Sequence, residues 1–146
     1  MLPRWHIIFG AIFTAIIWIF SPETKIIYLS LVFLSSVLID FDHYLITLTN
    51  TKKLSLRKSL KYFKCLGEKE RKEKKNNKRE KGHFYIFHTL EFHILVLLLS
   101  LVRIEFFYIF LGMIFHSLLD VAWMIKKDRI YRREFLLVNW IIRKIK

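Results

Sequence analysis

The chain has 146 residues, of which 54% are hydrophobic and 16% aromatic, and it carries a formal net charge of +13. This length allows one domain, and the polar residues are concentrated in two segments, 49–82 and 126–146, rather than spread over faces as in a soluble domain. The single cysteine, Cys65, excludes an internal disulfide, and the scarcity of glycine (4) and proline (2) disfavours a turn-rich β fold. Composition therefore predicts an all-α, multi-pass membrane bundle.

Four apolar segments follow one another along the chain and predict a bundle of about four membrane-spanning helices. A span needs about 20 mostly apolar residues, with a lower limit near 17. The predicted spans are residues 5–20, 26–42, 84–102 and 106–125. The first span follows Arg4, lacks a small-residue cleavage site and is followed by Pro22, so we interpret it as an uncleaved anchor rather than a secretory signal.

The basic residues predict the orientation of these spans. Segment 49–82 contains 14 Lys and Arg, and the tail after Ile125 contains 8 of the total of 25. Because cytoplasmic segments are enriched in Lys and Arg, an even number of spans with both basic segments inside accounts for this bias. The sequence therefore predicts a multi-pass protein of the cell membrane whose N-terminus, basic loop 49–82 and basic tail 126–146 are cytoplasmic.

The basic loop is partly amphipathic. Leu56, Leu60 and Phe63 fall on one helical stripe among basic residues, which predicts a helix over Ser55–Leu66 lying on the inner membrane surface. The loop could attract anionic lipid headgroups or an anionic substrate, or it could be a solvated tether that only fixes topology. The charge also permits nucleic-acid binding, which we disfavour because no recognition motif for DNA or RNA is present.

Ionisable side chains recur near the cytoplasmic end of every predicted span. They are His6 in the first span, Asp40, Asp42 and His43 in the second, His83 and His88 at the third, and His116 and Asp120 in the fourth. Carboxylates beside a bilayer core are costly without a partner, so this layer predicts one pocket that binds a divalent cation. Imidazoles and carboxylates without a thiolate cluster favour zinc, with manganese or iron as alternatives. The number of ions stays open.

Each local pattern also has a simpler interpretation. His116 and Asp120, at i and i+4 on one helix face, could form an ordinary hydrogen bond, and "DFDH" could be a polar helix end. Glu91, about two turns inside the third predicted span, needs a partner or a proton in either case. The occurrence of such groups on four helices at one depth is what favours a metal site.

Taken together, the motifs resemble a family of membrane-bound, metal-dependent hydrolases that includes a bacterial LexA-regulated inner-membrane protein. Members show an early His, then D-x-D-H, then H-R-G-x-x-H-S, then G-x-x-x-H-x-x-x-D. The matching positions here are His6, "DFDH" at 40–43, His83 with His88, and Gly112 with His116 and Asp120. The Arg and Gly of the third motif are replaced by Phe84 and Tyr85, so the resemblance does not define the substrate.

The resemblance implies hydrolysis of a phosphoester, since the family is distantly similar to zinc-dependent phospholipase C and P1-type nucleases. It implies a metal-activated water as nucleophile, acting on a lipid-linked or a soluble ester. Our candidate metal ligands are Asp40, Asp42, His43, His88, His116, Asp120 and His6, and our catalytic candidates are Glu91 and His83. The alternative is a non-catalytic membrane protein, either a divalent-metal binder or carrier or a scaffold whose basic loop binds anionic partners.

Overall fold

The computed structural model describes residues 3–51 and 56–145, and within these ranges the chain contains seven α-helices and no strand. The helices are α1 (Pro3–Phe20), α2 (Ile26–Leu38), α3 (Phe41–Thr51), α4 (Leu56–Lys75), α5 (Leu90–Leu99), α6 (Ile104–Lys126) and α7 (Leu137–Ile145). Two 3₁₀ turns lie at Ile86–His88 and Ile130–Arg132. The predicted all-α class is therefore confirmed.

Two helical stretches are long and apolar enough to cross a membrane. They are Ile26–Leu48, which covers α2 and most of α3, and Ile104–Lys126, which is α6. The helix α5 has only 10 residues, about 15 Å at 1.5 Å per residue, which is about half the hydrocarbon thickness of a bilayer. It begins at Leu90 because Thr89 caps it, accepting a hydrogen bond from the Phe92 N–H at 3.3 Å. The count of four spans stays a prediction.

Small residues allow the central helices to approach closely. The helix α6 packs against α2 and α5, and α1 packs against α2. A Cβ added at Gly112 of α6 would collide with the Val32 carbonyl oxygen and the Ser35 hydroxyl of α2. A Cβ added at Gly10 of α1 would collide with the Ser36 hydroxyl. Close approach through small residues is common between membrane helices, and here it brings the ends of α1, α2 and α6 together.

The break between α2 and α3 places an ionisable residue inside the bundle. Ile39 and Asp40 form a turn between the two helices. Just before it, the hydroxyls of Ser35 and Ser36 donate to carbonyls three residues earlier, at 3.1 and 2.8 Å, and such bonds compete with regular helix geometry. Because α2 ends here, the carbonyls of its last turn are available to other donors.

Residues 129–138, which we call the return segment, run back across the bundle. The Gly82 N–H donates to the Arg132 carbonyl at 2.9 Å, and the Leu90 N–H donates to the Phe135 carbonyl at 2.8 Å. The Glu91 carboxylate accepts the Leu137 N–H at 2.8 Å, which caps the start of α7. These bonds fix the return segment to the residues that precede and begin α5.

Ion pairs join the return segment to α4 as well. Arg129 donates to Glu70 and Arg132 donates to Glu73, both at 2.9 Å. The hydrogen bond from Arg132 lowers the pKa of Glu73 below its ordinary value. The helix predicted over Ser55–Leu66 corresponds to the first half of α4, although Ser55 and the side chains of Leu56 and Leu60 lie outside the described residues. Contact of α4 with a membrane surface stays a prediction.

Candidate metal centre

Four of the predicted ligands converge in one group. Asp40 comes from the turn after α2, His88 from a 3₁₀ turn, and His116 and Asp120 from α6, and each offers a donor atom within 4.8 Å of the others. The Nε2 atoms of His88 and His116 are 3.3 Å apart. The Asp40 Oδ1 atom lies 3.4 Å from His116 Nε2 and 3.7 Å from His88 Nε2. A tetrahedral ion with bonds of about 2.0–2.2 Å separates its donors by about 3.3–3.6 Å. Asp120 Oδ2 lies farther from the Nε2 atoms of His88 and His116, at 3.9 and 4.0 Å. The donors of His88, His116 and Asp40 are therefore close to the spacing of one divalent ion, and Asp120 lies slightly outside it.

The hydrogen bonds of the two histidines fix which ring nitrogen is available. His116 Nδ1 donates to the Ser36 carbonyl at 2.7 Å, and His88 Nδ1 donates to the Asp42 carboxylate at 2.9 Å. Carbonyl and carboxylate oxygens only accept, so both Nδ1 atoms carry hydrogen and both neutral rings present an Nε2 lone pair. Two such lone pairs facing each other repel unless a cation lies between them. That cation is either a metal ion or a shared proton.

His6 adds an unsatisfied donor beside the same carboxylates. Its side chain is 1% exposed, and neither ring nitrogen has a hydrogen-bond partner among the described residues. Its Nε2 atom lies 3.4 Å from Asp120 Oδ1 and 3.8 Å from Asp40 Oδ2, and its ring stacks on His116 at 3.9 Å. Leaving a buried imidazole unpaired costs about 1–3 kcal/mol, and a divalent ion would remove this cost. The donor set therefore fits a metal.

A second group shares one carboxylate with the first. Asp40, Asp42 and His43 also offer donor atoms within 4.8 Å of one another. His43 Nδ1 lies 3.0 Å from Asp42 Oδ1 and 3.3 Å from Asp40 Oδ1. Asp40 belongs to both groups, and its Oδ1 atom is the oxygen that lies near His43, His88 and His116.

An arginine that the sequence analysis did not single out completes the centre. Arg133, buried in the return segment, donates through Nη2 to the Asp120 Oδ2 atom at 2.8 Å. Its guanidinium lies over the Tyr85 ring, with 5.1 Å from Cζ to the ring centroid. In the sequence Arg133 is one of several basic residues after α6, and no local pattern distinguishes it from a charge that only fixes topology. The sequence also gives no signal for the Ser36 carbonyl that accepts from His116, because this carbonyl becomes available only where α2 ends.

A polar cavity of about 280 Å³ leads to the centre between α4 and the return segment. His43, Asp120 and Arg133 form part of its wall, and exposed residues such as Lys69 and Lys81 line its outer part. The cavity therefore gives water and small polar groups a route to the metal donors.

The structure places the two catalytic candidates outside both ligand groups. His83 lines the polar cavity and its Nε2 lies 3.1 Å from the Tyr62 hydroxyl, while burial lowers the pKa of its imidazole. Glu91 caps α7 through one oxygen and faces the return segment rather than the metal donors. Catalytic roles for His83 and Glu91 stay predictions.

These features define an all-helical protein with two candidate membrane spans and a cluster of Asp and His side chains that could hold a metal ion. The family model described as YdjM inner membrane protein matches residues 1–126, and the chain belongs to this family. This match confirms the resemblance to the LexA-regulated inner-membrane family and supports the membrane localisation. No curated protein and no solved structure shows significant similarity to the chain. All candidate ligands lie within the matched residues, whereas Arg133 lies beyond them.

Proposed function

We propose that this protein is a metal-dependent membrane hydrolase that cleaves phosphoesters. The observation that supports the proposal is the pair of Nε2 lone pairs, from His88 and His116, held 3.3 Å apart beside two carboxylates. Each ring is oriented by an Nδ1–H bond, as is usual for histidines that bind metals. A polar cavity reaches the same point, so substrate and water can approach it.

The divalent ion, when bound, supplies Lewis acidity: it lowers the pKa of a water toward ~7 and withdraws charge from a phosphoryl oxygen. Asp40, His88, His116 and Asp120 would hold it. Asp42 and His43 would hold a second ion or keep His88 and Asp40 in position, and His6 would complete either arrangement. Zinc suits this donor set, and manganese and iron are the alternatives.

The side chains around the centre support the remaining steps of hydrolysis. The water oxygen loses a proton as it forms a bond to phosphorus, the ester P–O bond breaks, and the leaving alkoxide takes up a proton. In the arrangement with one ion, His43 is not a ligand; it lines the polar cavity beside Asp40 and Asp42, so it is placed to accept the proton of the water and pass it to the alkoxide. Arg133 directs positive charge toward the place where phosphoryl charge develops, which lowers the barrier electrostatically.

The proposed topology puts this chemistry on the cytoplasmic side. With four spans and an internal N-terminus, the basic loop 49–82 and the tail 126–146 face the cytoplasm, where the positive residues are expected. The loop would then attract anionic lipid headgroups or the phosphoester itself.

Metal content and phosphodiester hydrolysis test the proposal together. We expect detergent-purified protein to contain about one or two zinc, manganese or iron ions per chain by elemental analysis, and to hydrolyse bis(p-nitrophenyl) phosphate. Asp40→Asn and His116→Ala should lose the metal and at least 100-fold in kcat, because they remove ligands. Glu105→Gln, a matched carboxylate change in an exposed ion pair with Arg103, should keep both properties.

The same experiment separates the alternatives. Protein that holds no metal after purification and reloading would contradict the metal centre. Metal binding without turnover in zinc, manganese or iron would instead indicate a metal binder or carrier.

A further inference from the structure

Two cavities of opposite character meet at the candidate metal centre. The first is the polar cavity between α4 and the return segment, described above. The second is an apolar cleft of about 170 Å³ between α5, α6 and the return segment. The residues that line both cavities, and therefore form the wall between them, are Asp120, Met124 and Arg133.

The apolar cleft opens sideways from the bundle. Leu90 of α5 and Leu118 of α6 line it and are 54% and 61% exposed, although both are large apolar residues. The helix α6 is one of the two candidate spans, so its exposed apolar side faces lipid chains in a membrane. The inner end of the cleft reaches His88 and Asp120, which are metal donors. A hydrocarbon chain entering from the bilayer would therefore end beside the metal centre.

Arg133 offers an anionic group a contact at the meeting point. Within residues 3–51 and 56–145, its guanidinium donates through Nη2 to Asp120, and a guanidinium has further N–H donors in the same plane. The neighbouring Arg129 and Arg132 are already paired with Glu70 and Glu73 on α4. Arg133 thus contacts a candidate metal ligand, Asp120, and still has guanidinium N–H groups that can donate to another group. A phosphate or phosphonate oxygen suits these donors.

We propose that the natural ligand of this site is an anionic amphiphile: its phosphate head lies in the polar cavity against Arg133, and its hydrocarbon chain lies in the apolar cleft. The assignment rests on the proposed function for the bond that is cleaved, but occupancy of the two cavities does not require turnover. A small soluble phosphoester would leave the cleft beside the reacting group unfilled. The structure thus favours a membrane-derived ester over a cytosolic one.

Photolabelling tests occupancy without relying on catalysis. The probe is hexadecylphosphonate with a diazirine in mid-chain, and the comparison probe is hexadecanol with the same diazirine. Full-length protein in dodecyl maltoside is irradiated with each probe, and the labelled peptides are mapped by mass spectrometry. We expect the phosphonate to label residues 114–121 at least five-fold more than the alcohol does, because only the phosphonate can bind Arg133.

Matched variants locate the two halves of the ligand. Ile114→Trp fills the cleft and should reduce labelling of this region by the phosphonate, whereas Ala122→Trp adds the same side chain at an exposed position of α6 and should not. Arg133→Gln should remove the preference for the phosphonate, and Arg143→Gln should retain it. Equal, diffuse labelling by both probes around the apolar surface would overturn the assignment, since it would show ordinary contact with lipid chains.

Two chromogenic esters separate this assignment from the hydrolase proposal. They are p-nitrophenyl methyl phosphate and p-nitrophenyl hexadecyl phosphate, presented in the same micelles. We expect kcat/KM to be at least ten-fold higher for the hexadecyl ester. Equal turnover of both esters without selective labelling would overturn the amphiphile assignment and leave the hydrolase standing. Selective labelling without turnover of either ester would support the amphiphile site and contradict the hydrolase.

Discussion

At the scale of single residues, two groups outside the predicted ligand set contact the candidate ligands. His88, His116, Asp40 and Asp120 were predicted as ligands because ionisable groups beside apolar runs are costly, and their side chains converge in the structure. The Ser36 carbonyl and Arg133 act on those donors at 2.7 and 2.8 Å, yet neither carries a signal along the chain. A backbone carbonyl has no residue identity, and an arginine in a basic tail looks like any other.

Removing Arg133 should make the protein depend more strongly on metal. In metal-free protein the Arg133→Gln change removes the guanidinium that donates to the buried Asp120 carboxylate, and breaking a buried ion pair costs up to about 3–5 kcal/mol. Added zinc would restore positive charge to Asp120, so the rise in Tm on adding zinc should be larger than in the wild type. Thermal unfolding in detergent with EDTA or zinc measures this. Arg143→Gln, at a more exposed ion pair with Glu134, serves as the control, and an unchanged zinc effect in Arg133→Gln would contradict the prediction.

His83 should contribute to the loss of stability in mild acid. Burial lowers the pKa of His83 below the ordinary value of 6.5, so the folded protein favours the neutral ring. The contribution of the neutral ring to stability is therefore fully present above about pH 6.5. The effect is lost as pH falls through the lowered pKa, because the unfolded chain binds the proton more readily. In EDTA, His83→Gln should therefore show a smaller decline of Tm between about pH 7 and about pH 5 than the wild type, while Glu105→Gln keeps the original slope. A decline as steep in His83→Gln as in the wild type would show that His83 makes no contribution.

At the scale of helices, the ends matter more for the site than the apolar middles do. The breaks at Asp40 and before Leu90 place Asp40 and His88 beside α6, whereas the sequence predicted helix through both positions. Hydropathy could not show these breaks because the residues around them are apolar. One sequence feature near the site is Gly112, four residues before His116. At this position α6 lies so close to α2 that any side chain would collide.

Gly112→Ala should damage the metal centre from a distance. The added methyl group collides with the Val32 carbonyl, which cannot move without displacing α2, so α6 must shift away from Asp40. We expect a loss of about 1–3 kcal/mol in stability and at least a ten-fold loss in zinc affinity by competition with a fluorescent chelator. Gly67→Ala is the control, because a Cβ there meets nothing within 4 Å and alanine favours helix. Equal zinc affinity in the two variants would contradict this role of Gly112.

At the scale of the whole molecule, the predicted all-α class agrees with the helices of the described residues, and the orientation in the membrane stays a prediction. The charge bias predicts that the connection between α5 and α6 lies opposite the basic loop. Helix length alone identifies two candidate spans, because α1 and α5 fall below the usual length. Short helices can be accommodated by local thinning of the bilayer.

Cysteine labelling decides the topology. Cys65 is exposed in α4 and should react with a membrane-impermeant maleimide only when the cytoplasmic face is accessible, as in inverted vesicles. Ser100→Cys in a Cys65→Ser background should react only in intact cells or spheroplasts, since Ser100 lies in the turn between α5 and α6. Reaction of both thiols from the same side would rule out four spans with an internal N-terminus.

The position of Arg133 along the chain has a consequence for biogenesis. Every candidate ligand precedes it in sequence, so during synthesis the carboxylates and imidazoles are all made before the guanidinium that donates to Asp120. The return segment can therefore join the centre only after the whole ligand set has been translated, and its contact with Asp120 would be one of the last steps of assembly. A chain cut short between Asp120 and Arg133 would contain every candidate ligand but lack this contact, so such a truncation would separate ion capture from docking of the return segment.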